Sequence, residues 1–214
     1  MTTPSLEVLL VIGIIAFYVQ DAMLLLYGDE LVFERVARRW HPSPGGSQWQ
    51  GRFLFVPNPL APWRPLLRGA IPGAPSAIPE TSSLKPVLRA LRPLQVGVTL
   101  LAALLLVGVP ALLWRYPHPL ALSALAASIY LVALLLVIEL WRRREAFGLD
   151  RRTAAWLAFG SVACPPHAIN LVRKLGLRQS LPRDAMSMAS DALDAPALER
   201  LKATLAERAQ ALAP

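Results

Sequence analysis

The chain is poor in the residues that disulfides, metal sites and catalysis require. Its single cysteine, Cys164, excludes an intrachain disulfide and a zinc site built from four cysteines. Two prolines separate Cys164 from His167 and prevent the regular helical spacing of a ligand pair. The sequence has no glycine-rich phosphate loop, no His-Glu-x-x-His motif and no Gly-x-Ser-x-Gly motif. We therefore predict no metal and no cofactor, and we favour a role other than catalysis.

Charged residues are also scarce. They make up 17% of the 214 residues, whereas hydrophobic residues make up 55% and the mean hydropathy is +0.44. Soluble domains are only about 45–50% apolar. Three apolar runs reach the ~20 residues that a helix needs to cross a hydrocarbon core of ~30 Å. We predict an all-α integral membrane protein with three transmembrane helices, at residues 6–27, 94–115 and 119–141.

Lysine is rare, and arginine supplies most of a basic charge that is unevenly distributed. Arginines are frequent in residues 28–93 and directly after the third run, whereas the turn between the second and third runs contains only Arg115. The positive-inside rule then places the 28–93 loop in the cytoplasm and the N-terminus outside. No Lys or Arg precedes the first run, so we expect a retained helix and not a cleaved signal peptide.

The composition also bears on location and partners. Abundant Arg, Ala, Leu and Pro favour a bacterial origin, and we predict a multi-pass protein of the bacterial inner membrane. The net charge of +8 is concentrated beside the apolar runs, where basic residues meet anionic lipid head groups. We therefore expect lipid head groups, and not nucleic acid, as the acidic partner.

A fourth apolar stretch, residues 153–172, is interrupted in its second half by Pro165-Pro166, His167 and Asn170. Broken helices at membrane depth need protein or water to satisfy their free backbone groups. We predict a broken helix that is re-entrant or lies at the interface, and a full fourth crossing is the alternative.

The cytoplasmic loop changes character along its length. Residues 31–40 and 48–56 are rich in β-branched and aromatic side chains and flank a Pro- and Gly-rich turn. They predict a small juxtamembrane β-hairpin over residues 31–56, and the alternative continues the first helix through residues 30–39. Frequent prolines predict extended chain from residue 57 onwards, with a short basic amphipathic helix at 84–94.

Part of this loop resembles a known family. The similar residues are Tyr27-Gly28-Asp29-Glu30-Leu31-Val32-Phe33-Glu34-Arg35, then Arg39-Trp40, Pro44-Gly45 and Phe53-Leu54-Phe55-Val56-Pro57. They resemble the first hairpin of stomatin/prohibitin-type proteins. The likeness covers about 30 residues and implies only the hairpin. The α/β domain and long coiled coil of that family do not follow, and we do not assign the chain to it.

The C-terminal part reads as a linker and a helix. Residues 179–193 are polar, and residues 194–212 form an amphipathic pattern that Asp194 can cap. Leu198, Leu201 and Leu205 lie on one stripe and are candidates for docking another subunit. The alternative is a helix that packs on the membrane surface or on the protein's own loop.

Polar residues inside the apolar runs are the best candidates for function. They are Gln20, Asp21, Glu139, His167 and Asn170. An ionised Asp at mid-span costs about 2.5–3.5 kcal/mol. Asp21 is therefore functional, or hydrogen-bonded to a neighbouring helix or subunit, or at the membrane interface because the span starts later than predicted. Glu139 lies three residues before Arg142 and can pair with it locally.

Together these features predict a non-enzymatic membrane anchor or accessory subunit of a multi-protein inner-membrane assembly. It would pack against other membrane subunits, or copies of itself, through its helices, and dock through its loop and C-terminal helix. The alternative is a small oligomeric transporter or a component that conducts ions or protons through Asp21 and Glu139. A third reading is a lipid-modifying enzyme in which His167, Asn170 and Arg173 touch head groups.

Overall fold

The computed structural model describes residues 5–37, 39–70, 84–179, 181 and 184–211. The chain forms two compact units. The helical unit contains the described residues of Met1–Ala22, Leu60–Trp63 and Pro86–Val172. The β-rich unit contains those of Met23–Pro59, Arg64–Lys85 and Arg173–Pro214. Each unit is therefore assembled from three separate chain segments.

Apolar helices dominate the helical unit. They are α1 (Leu6–Ala22), α2 (Lys85–Ala103), α3 (Val109–Arg115), α4 (Pro119–Arg142), α5 (Arg151–Ala163) and α6 (Pro165–Ile169). A π-helical turn, Leu104–Gly108, joins α2 to α3, and a 3₁₀ turn, Arg144–Phe147, follows α4. A further helix, α7 (Leu171–Leu177), begins in this unit and continues into the β-rich unit.

The π-helical turn has a local cause. Pro110 lacks an N–H and its ring clashes with the carbonyl oxygen four residues earlier in a regular α-helix. The wider turn before it accommodates the ring and keeps the helix continuous. Close packing between helices comes from Gly97, because a Cβ placed there would lie 2.6 Å from a Leu136 methyl carbon.

Two helical stretches are long and apolar enough to cross a membrane. Among the described residues they are Lys85–Arg115 (31 residues) and Pro119–Arg142 (24 residues), each of which contains an apolar segment of 18 residues. The second includes the run predicted at 119–141, and the first joins the run predicted at 94–115 to the amphipathic helix predicted at 84–94. Length and composition are the whole of this evidence.

The all-α class with three transmembrane helices is wrong. The helix predicted at residues 6–27 ends at Ala22, and its 17 residues span about 26 Å at 1.5 Å per residue. The apolar residues that follow, Leu24–Leu26, form a β-strand in which Leu26 is fully buried. The fold also contains two three-stranded sheets. The apolar content of residues 6–27 predicted a membrane-spanning helix, but the last residues of this run form a β-strand.

The β-rich unit is organised around those sheets. Its strands are β1 (Leu24–Leu26), β2 (Glu30–Val36), β3 (Arg39–Ser43), β4 (Gln48–Trp49), β5 (Arg52–Phe55) and β6 (Leu66–Ala70). The strand orders are β1-β5-β4 and β3-β2-β6, and every pairing is antiparallel. The two sheets share a core of Leu26, Val32, Phe53, Phe55 and Leu66.

A small β-hairpin region is present in the predicted loop, but the predicted pairing of residues 31–40 with residues 48–56 is wrong. Strand β2 pairs with β3 and β6, whereas β5 pairs with β1 and β4. Positive φ angles at Ala37 (54°), Gln50 (48°) and Gly51 (74°) fold each run back on its immediate neighbour. The Pro- and Gly-rich turn therefore connects the two sheets. The alternative helix through residues 30–39 is wrong for the same reason.

The rest of the loop is partly ordered as a strand. Strand β6 arises within the stretch predicted to be extended and irregular, and it pairs with β2 over five residues. The prolines of residues 71–83 lie outside the described residues, so extended chain in that segment stays a prediction. Arg38, one of the basic residues of the predicted loop, lies outside them too.

The C-terminal segment belongs to the β-rich unit. It contains α8 (Ala185–Ala192) and α9 (Ala195–Ala211), and α8 lies within the predicted linker 179–193. Asp184 caps α8 by accepting hydrogen bonds from the backbone N–H groups of Met186 and Ser187. At Gly176 in α7, an added Cβ would lie 2.4 Å from the carbonyl oxygen of Leu66, so only glycine permits this approach to β6. Leu212, the last residue of the helix predicted at 194–212, lies outside the described residues.

Candidate functional site

A break in the fourth apolar stretch shapes the most polar part of the helical unit. Helix α5 ends at Ala163, and Cys164 has φ −139° and ψ 87°. Pro165 and Pro166 then occupy the first turn of α6, where a missing N–H leaves no hydrogen bond unmade. The backbone N–H of His167 donates to the carbonyl of Cys164 at 2.8 Å. The two prolines thus turn the chain and fix the position from which the His167 side chain projects.

Helix α1 supplies the opposing side of the site. Val11, Tyr18 and Ala22 are buried and recur at helical spacing on one face. Asp21 is adjacent to this face, and its side chain is 21% exposed. Packing of the buried face therefore holds the carboxylate against α6.

Three side chains meet here, and we call Asp21, His167 and Asn170 the polar cluster. His167 Nδ1 lies 2.8 Å from Asp21 Oδ1. Asn170 Nδ2 donates to Asp21 Oδ2 at 3.0 Å and to the backbone carbonyl of Tyr18 at 2.9 Å. Both N–H bonds of the amide are thereby used, and each carboxylate oxygen faces a donor. The geometry joins α1 to the end of α6 through charge-assisted hydrogen bonds.

The polar cluster has the chemistry of a proton-sharing pair. At 2.8 Å the imidazole Nδ1 donates to the carboxylate, and this contact fixes the orientation of the ring. The His167 side chain is 33% exposed. Gly160 of α5 makes room for the ring, since a Cβ there would lie 3.2 Å from Cδ2 and Nε2.

The polar cluster supplies fewer ligands than a typical metal site. No group of three or more His, Cys, Asp or Glu side chains converges anywhere in the part of the chain that the structure describes. Asp21 and His167 supply one carboxylate and one imidazole, and an open transition-metal site usually has three protein ligands.

The structure brings together three of the five polar residues that the sequence singled out. Gln20 is exposed on α1 and lies outside the cluster. Glu139 is held by its own helix end, with Arg143 Nε at 2.8 Å and Arg142 Nη1 at 3.4 Å from its carboxylate oxygens. The local pairing expected for Glu139 is therefore present in the structure.

Two of the three leucines that were predicted to dock another subunit are buried within this chain. Leu201 and Leu205 are buried within the β-rich unit, and Leu198 is half-buried. Arg208 on the same helix lies over the Phe53 ring at 3.8 Å and donates to the backbone carbonyls of Pro44 and Gly45. Burial lowers the pKa of its guanidinium from the usual range. Helix α9 thus packs on the protein's own loop, one of the predicted alternatives.

Sequence reasoning missed the role of Arg173. The third reading of the sequence placed Arg173 against lipid head groups, yet it is only 2% exposed and is among the largest fully buried side chains. Its guanidinium donates to the carbonyl of Asn58, which is 115 residues away in sequence. Asn170 is also buried, at 1% exposed. Neither residue is placed to touch a head group, and no local pattern in the sequence signals the long-range contact.

Comparisons of the chain with protein-family models, curated proteins and solved structures found no match.

Proposed function

We propose that this protein is a non-enzymatic membrane anchor or accessory subunit of a multi-protein assembly in the bacterial inner membrane. One observation carries the proposal: the two long apolar helical stretches are mostly uncovered. Only 28% of the apolar segment in Lys85–Arg115 and 22% of that in Pro119–Arg142 is buried inside the chain. The core helix of a soluble protein is mostly buried, so lipid and neighbouring membrane subunits are the natural cover.

The distribution of positive charge supports the sidedness. Arg142, Arg143 and Arg144 end α4, and the turn before α4 carries only Arg115. By the positive-inside rule, the end of α4 at Arg142 faces the cytoplasm, and two crossings then place the start of α2 at Lys85 on the same side. The proposal uses two membrane crossings. An N-terminus on the outer side would require a third crossing, by the first apolar run. It is therefore not part of this proposal and stays a prediction.

In this proposal the polar cluster is a structural tie. Asp21 is tolerated on an apolar helix because His167 and Asn170 each face one of its oxygens. Interhelical hydrogen bonds of this kind are worth about 0.6–2 kcal/mol in a membrane. The cluster would hold α1 against α6 without any turnover.

The partner surface is expected on α4. Tyr130, Leu131, Leu134, Leu135 and Ile138 are all exposed large hydrophobic side chains. Lipid chains adapt to a bulky side chain on a helix, whereas a packed protein interface does not. Substitution by tryptophan therefore distinguishes a face covered by lipid from a face covered by a subunit.

The test is purification of the full chain from native membranes in mild detergent, after an alkaline wash that removes peripheral proteins. We expect the protein to stay in the membrane and to elute with a second protein at fixed stoichiometry. At least one of Leu131→Trp, Leu134→Trp and Ile138→Trp should release that protein, with Leu120→Trp at the exposed start of α4 as the matched control. Elution alone, or as a homo-oligomer unaffected by every substitution, would overturn the proposal.

The alternative is a component that carries protons, and one observation favours it. Asp21 and His167 share a hydrogen bond between two helices at 2.8 Å, which is an arrangement that can pass a proton. Glu139, the other residue proposed for conduction, is bound by Arg142 and Arg143 of its own helix end. A relay would therefore run through the histidine and not through Glu139.

A further inference from the structure

One face of the sheet β1-β5-β4 differs from the rest of the β-rich unit. In antiparallel pairs, residues directly opposite each other share a face. The register pairs Leu25 with Leu54 and Trp49 with Arg52, so these four side chains project from one side. The other side carries Leu26, Phe53 and Phe55, which belong to the core shared with the second sheet. We call the first side the outer face.

The outer face gathers the exposed apolar surface of its unit. Among the described residues of the β-rich unit, the exposed large hydrophobic side chains are Met23, Leu25, Tyr27, Trp49 and Val56, each between 41% and 59% exposed. Leu25 and Trp49 are on the face by register. Met23, Tyr27 and Val56 continue the strand alternation onto the same side. Exposed apolar residues scattered at random would not share one face of one sheet.

The composition of the outer face matches a lipid head-group region. Trp49 and Tyr27 are the two aromatic types enriched at membrane interfaces, where one end of the ring is apolar and the other is wet. The Arg52 guanidinium lies over the Tyr27 ring at 4.7 Å, at the same end of the sheet. A stacked arginine beside two interfacial aromatics complements anionic phosphate groups, while Leu25 and Val56 meet the acyl boundary.

The size of the face argues against a protein partner. Five side chains exposed to this extent leave on the order of 500 Å² of apolar surface, with a large aromatic side chain contributing about 150–250 Å² when fully exposed. A stable protein interface buries about 800 Å² on each partner. A membrane needs no such area when the surface is tethered, because the tether raises the effective concentration. Only Met23 separates α1 from β1 in the chain.

We infer that the outer face of β1-β5-β4 lies on the surface of an anionic bilayer, with Trp49, Tyr27 and Arg52 among the head groups. This inference rests on the membrane location in the proposed function. It assigns the β-rich unit a lipid-binding surface in addition to the proposed role of the chain as an accessory subunit.

The test uses the full chain in nanodiscs that contain phosphatidylglycerol, with Cys164→Ala to remove the native thiol. An environment-sensitive fluorophore is attached at Leu25→Cys or Trp49→Cys on the outer face. The matched control is His41→Cys, an exposed position on β3 of the other sheet. Nitroxide lipids should quench the first two probes and iodide should not, whereas iodide should quench the probe at residue 41. Arg52→Gln should reduce lipid quenching in anionic nanodiscs towards its level in neutral ones.

Two outcomes would overturn the inference. Iodide quenching at residues 25 and 49 as strong as at residue 41 would leave the face in water. Shielding of both positions from iodide and from nitroxide lipids, with cross-linking between two chains or to another protein, would assign the face to a protein interface. Retention of the protein after an alkaline wash separates the two proposals. A retained protein with an aqueous face refutes only the lipid-binding surface, whereas an extracted protein refutes the membrane location itself.

Discussion

The carboxylate of Asp21 is held by donors on both of its oxygens. His167 is the third residue of the five-residue helix α6 and Asn170 caps its C-terminus, and that helix exists because two prolines interrupt the apolar stretch. The polar cluster therefore depends on a local break more than on any single residue. The charge of Asp21 and its hydrogen bonds can be removed by separate substitutions. The results differ for a cluster that only ties two helices together and for one that relays protons.

Asp21→Asn should be tolerated, because an amide still accepts a hydrogen bond from Asn170 or His167. Asp21→Leu should lower the free energy of unfolding by about 1–3 kcal/mol, since it removes the carboxylate that accepts from the buried amide of Asn170. Thermal unfolding of the detergent-solubilised protein measures both. Proton flux into proteoliposomes is the second readout. Flux that is present in the wild type and lost in a stably folded Asp21→Asn protein would establish the relay and refute the structural tie.

Gly160→Ala tests the space around the imidazole. The new Cβ would lie 3.2 Å from two ring atoms, so the ring has to move and its hydrogen bond to Asp21 should lengthen. Gly13→Ala is the matched control, because nothing lies within 4 Å of its added Cβ. In a helix, Gly to Ala gains up to about 1 kcal/mol. We expect that gain in the Tm of Gly13→Ala and a smaller gain or a loss for Gly160→Ala. Equal gains would show that the ring is not confined.

The members of the polar cluster could be found from sequence, but their pairing could not. Asp21, His167 and Asn170 stand out because polar side chains are costly inside apolar runs. Asp21 and Asn170 are 149 residues apart, and no local pattern says which helices meet. Glu139 stood out for the same reason, and its pairing could be predicted because Arg142 and Arg143 lie within one helical turn.

At the scale of elements, the ends of helices are set by short-range contacts. The start of α5 illustrates this, because Asp150 caps it and its carboxylate accepts from the backbone N–H of Thr153. Hydrogen bonding to Thr153 lowers the pKa of the Asp150 carboxyl from its ordinary value. The cap therefore stabilises the folded state fully above the ordinary pKa of an aspartate, and this stabilisation is lost as the pH falls through the lowered pKa.

Amide hydrogen exchange in the first turn of α5 should report this loss. Exchange at Thr153 and Ala154, corrected for its intrinsic pH dependence, should become faster at acidic pH in the wild type. Asp150→Asn should keep the cap and remove this pH dependence, because an amide does not titrate in this range. Asp150→Ala should give fast exchange at every pH. A pH dependence that persists in Asp150→Asn would show that another group titrates at this site.

Helices were predicted more accurately than strands, for a physical reason. The length of the apolar run predicted the end of α4 to within one residue. The backbone groups of a helix are paired by hydrogen bonds within the helix itself, so a local pattern is enough to predict it. A strand needs a partner, and the partner depends on turns that were not recognised. Ala37 and Gln50 take positive φ angles without being glycine, so the turns that pair β2 with β3 and β4 with β5 gave no strong sequence signal. The short α8 was missed because its few apolar residues lack a periodic pattern.

At the scale of the whole molecule, each unit is built from chain segments that are far apart in sequence. The β-rich unit takes its strands from residues 24–70 and its helices from residues 173–211. Packing between these segments is close, since an added Cβ at Gly69 would lie 2.0 Å from a Leu181 methyl carbon. Neither segment can complete the unit alone. The C-terminal segment was predicted as a linker and docking helix because long-range packing of this kind leaves no local pattern.

Truncation after Leu181 should therefore damage the β-rich unit and spare membrane insertion. It removes α8 and α9, whose Ala189, Leu201 and Arg208 are buried in that unit. Loss of Arg208 also uncovers Phe53, and a cation–π contact of this kind is worth about 0.5–2 kcal/mol. We expect the truncated protein to resist an alkaline wash, because the stretches Lys85–Arg115 and Pro119–Arg142 remain. Limited proteolysis should cut it within residues 24–70, where we expect the full chain to be resistant.

The matched control for this truncation ends the chain at Ala211 and keeps all of α9. It should behave like the full chain in proteolysis. Arg208→Ala should lie between the two, since it removes the contact with Phe53 and the hydrogen bonds to Pro44 and Gly45 but keeps the helix. Proteolysis of the Leu181 truncation at the rate of the full chain would show that the strands fold without the C-terminal helices. In that case α9 would be free for the docking role first predicted from its leucine stripe.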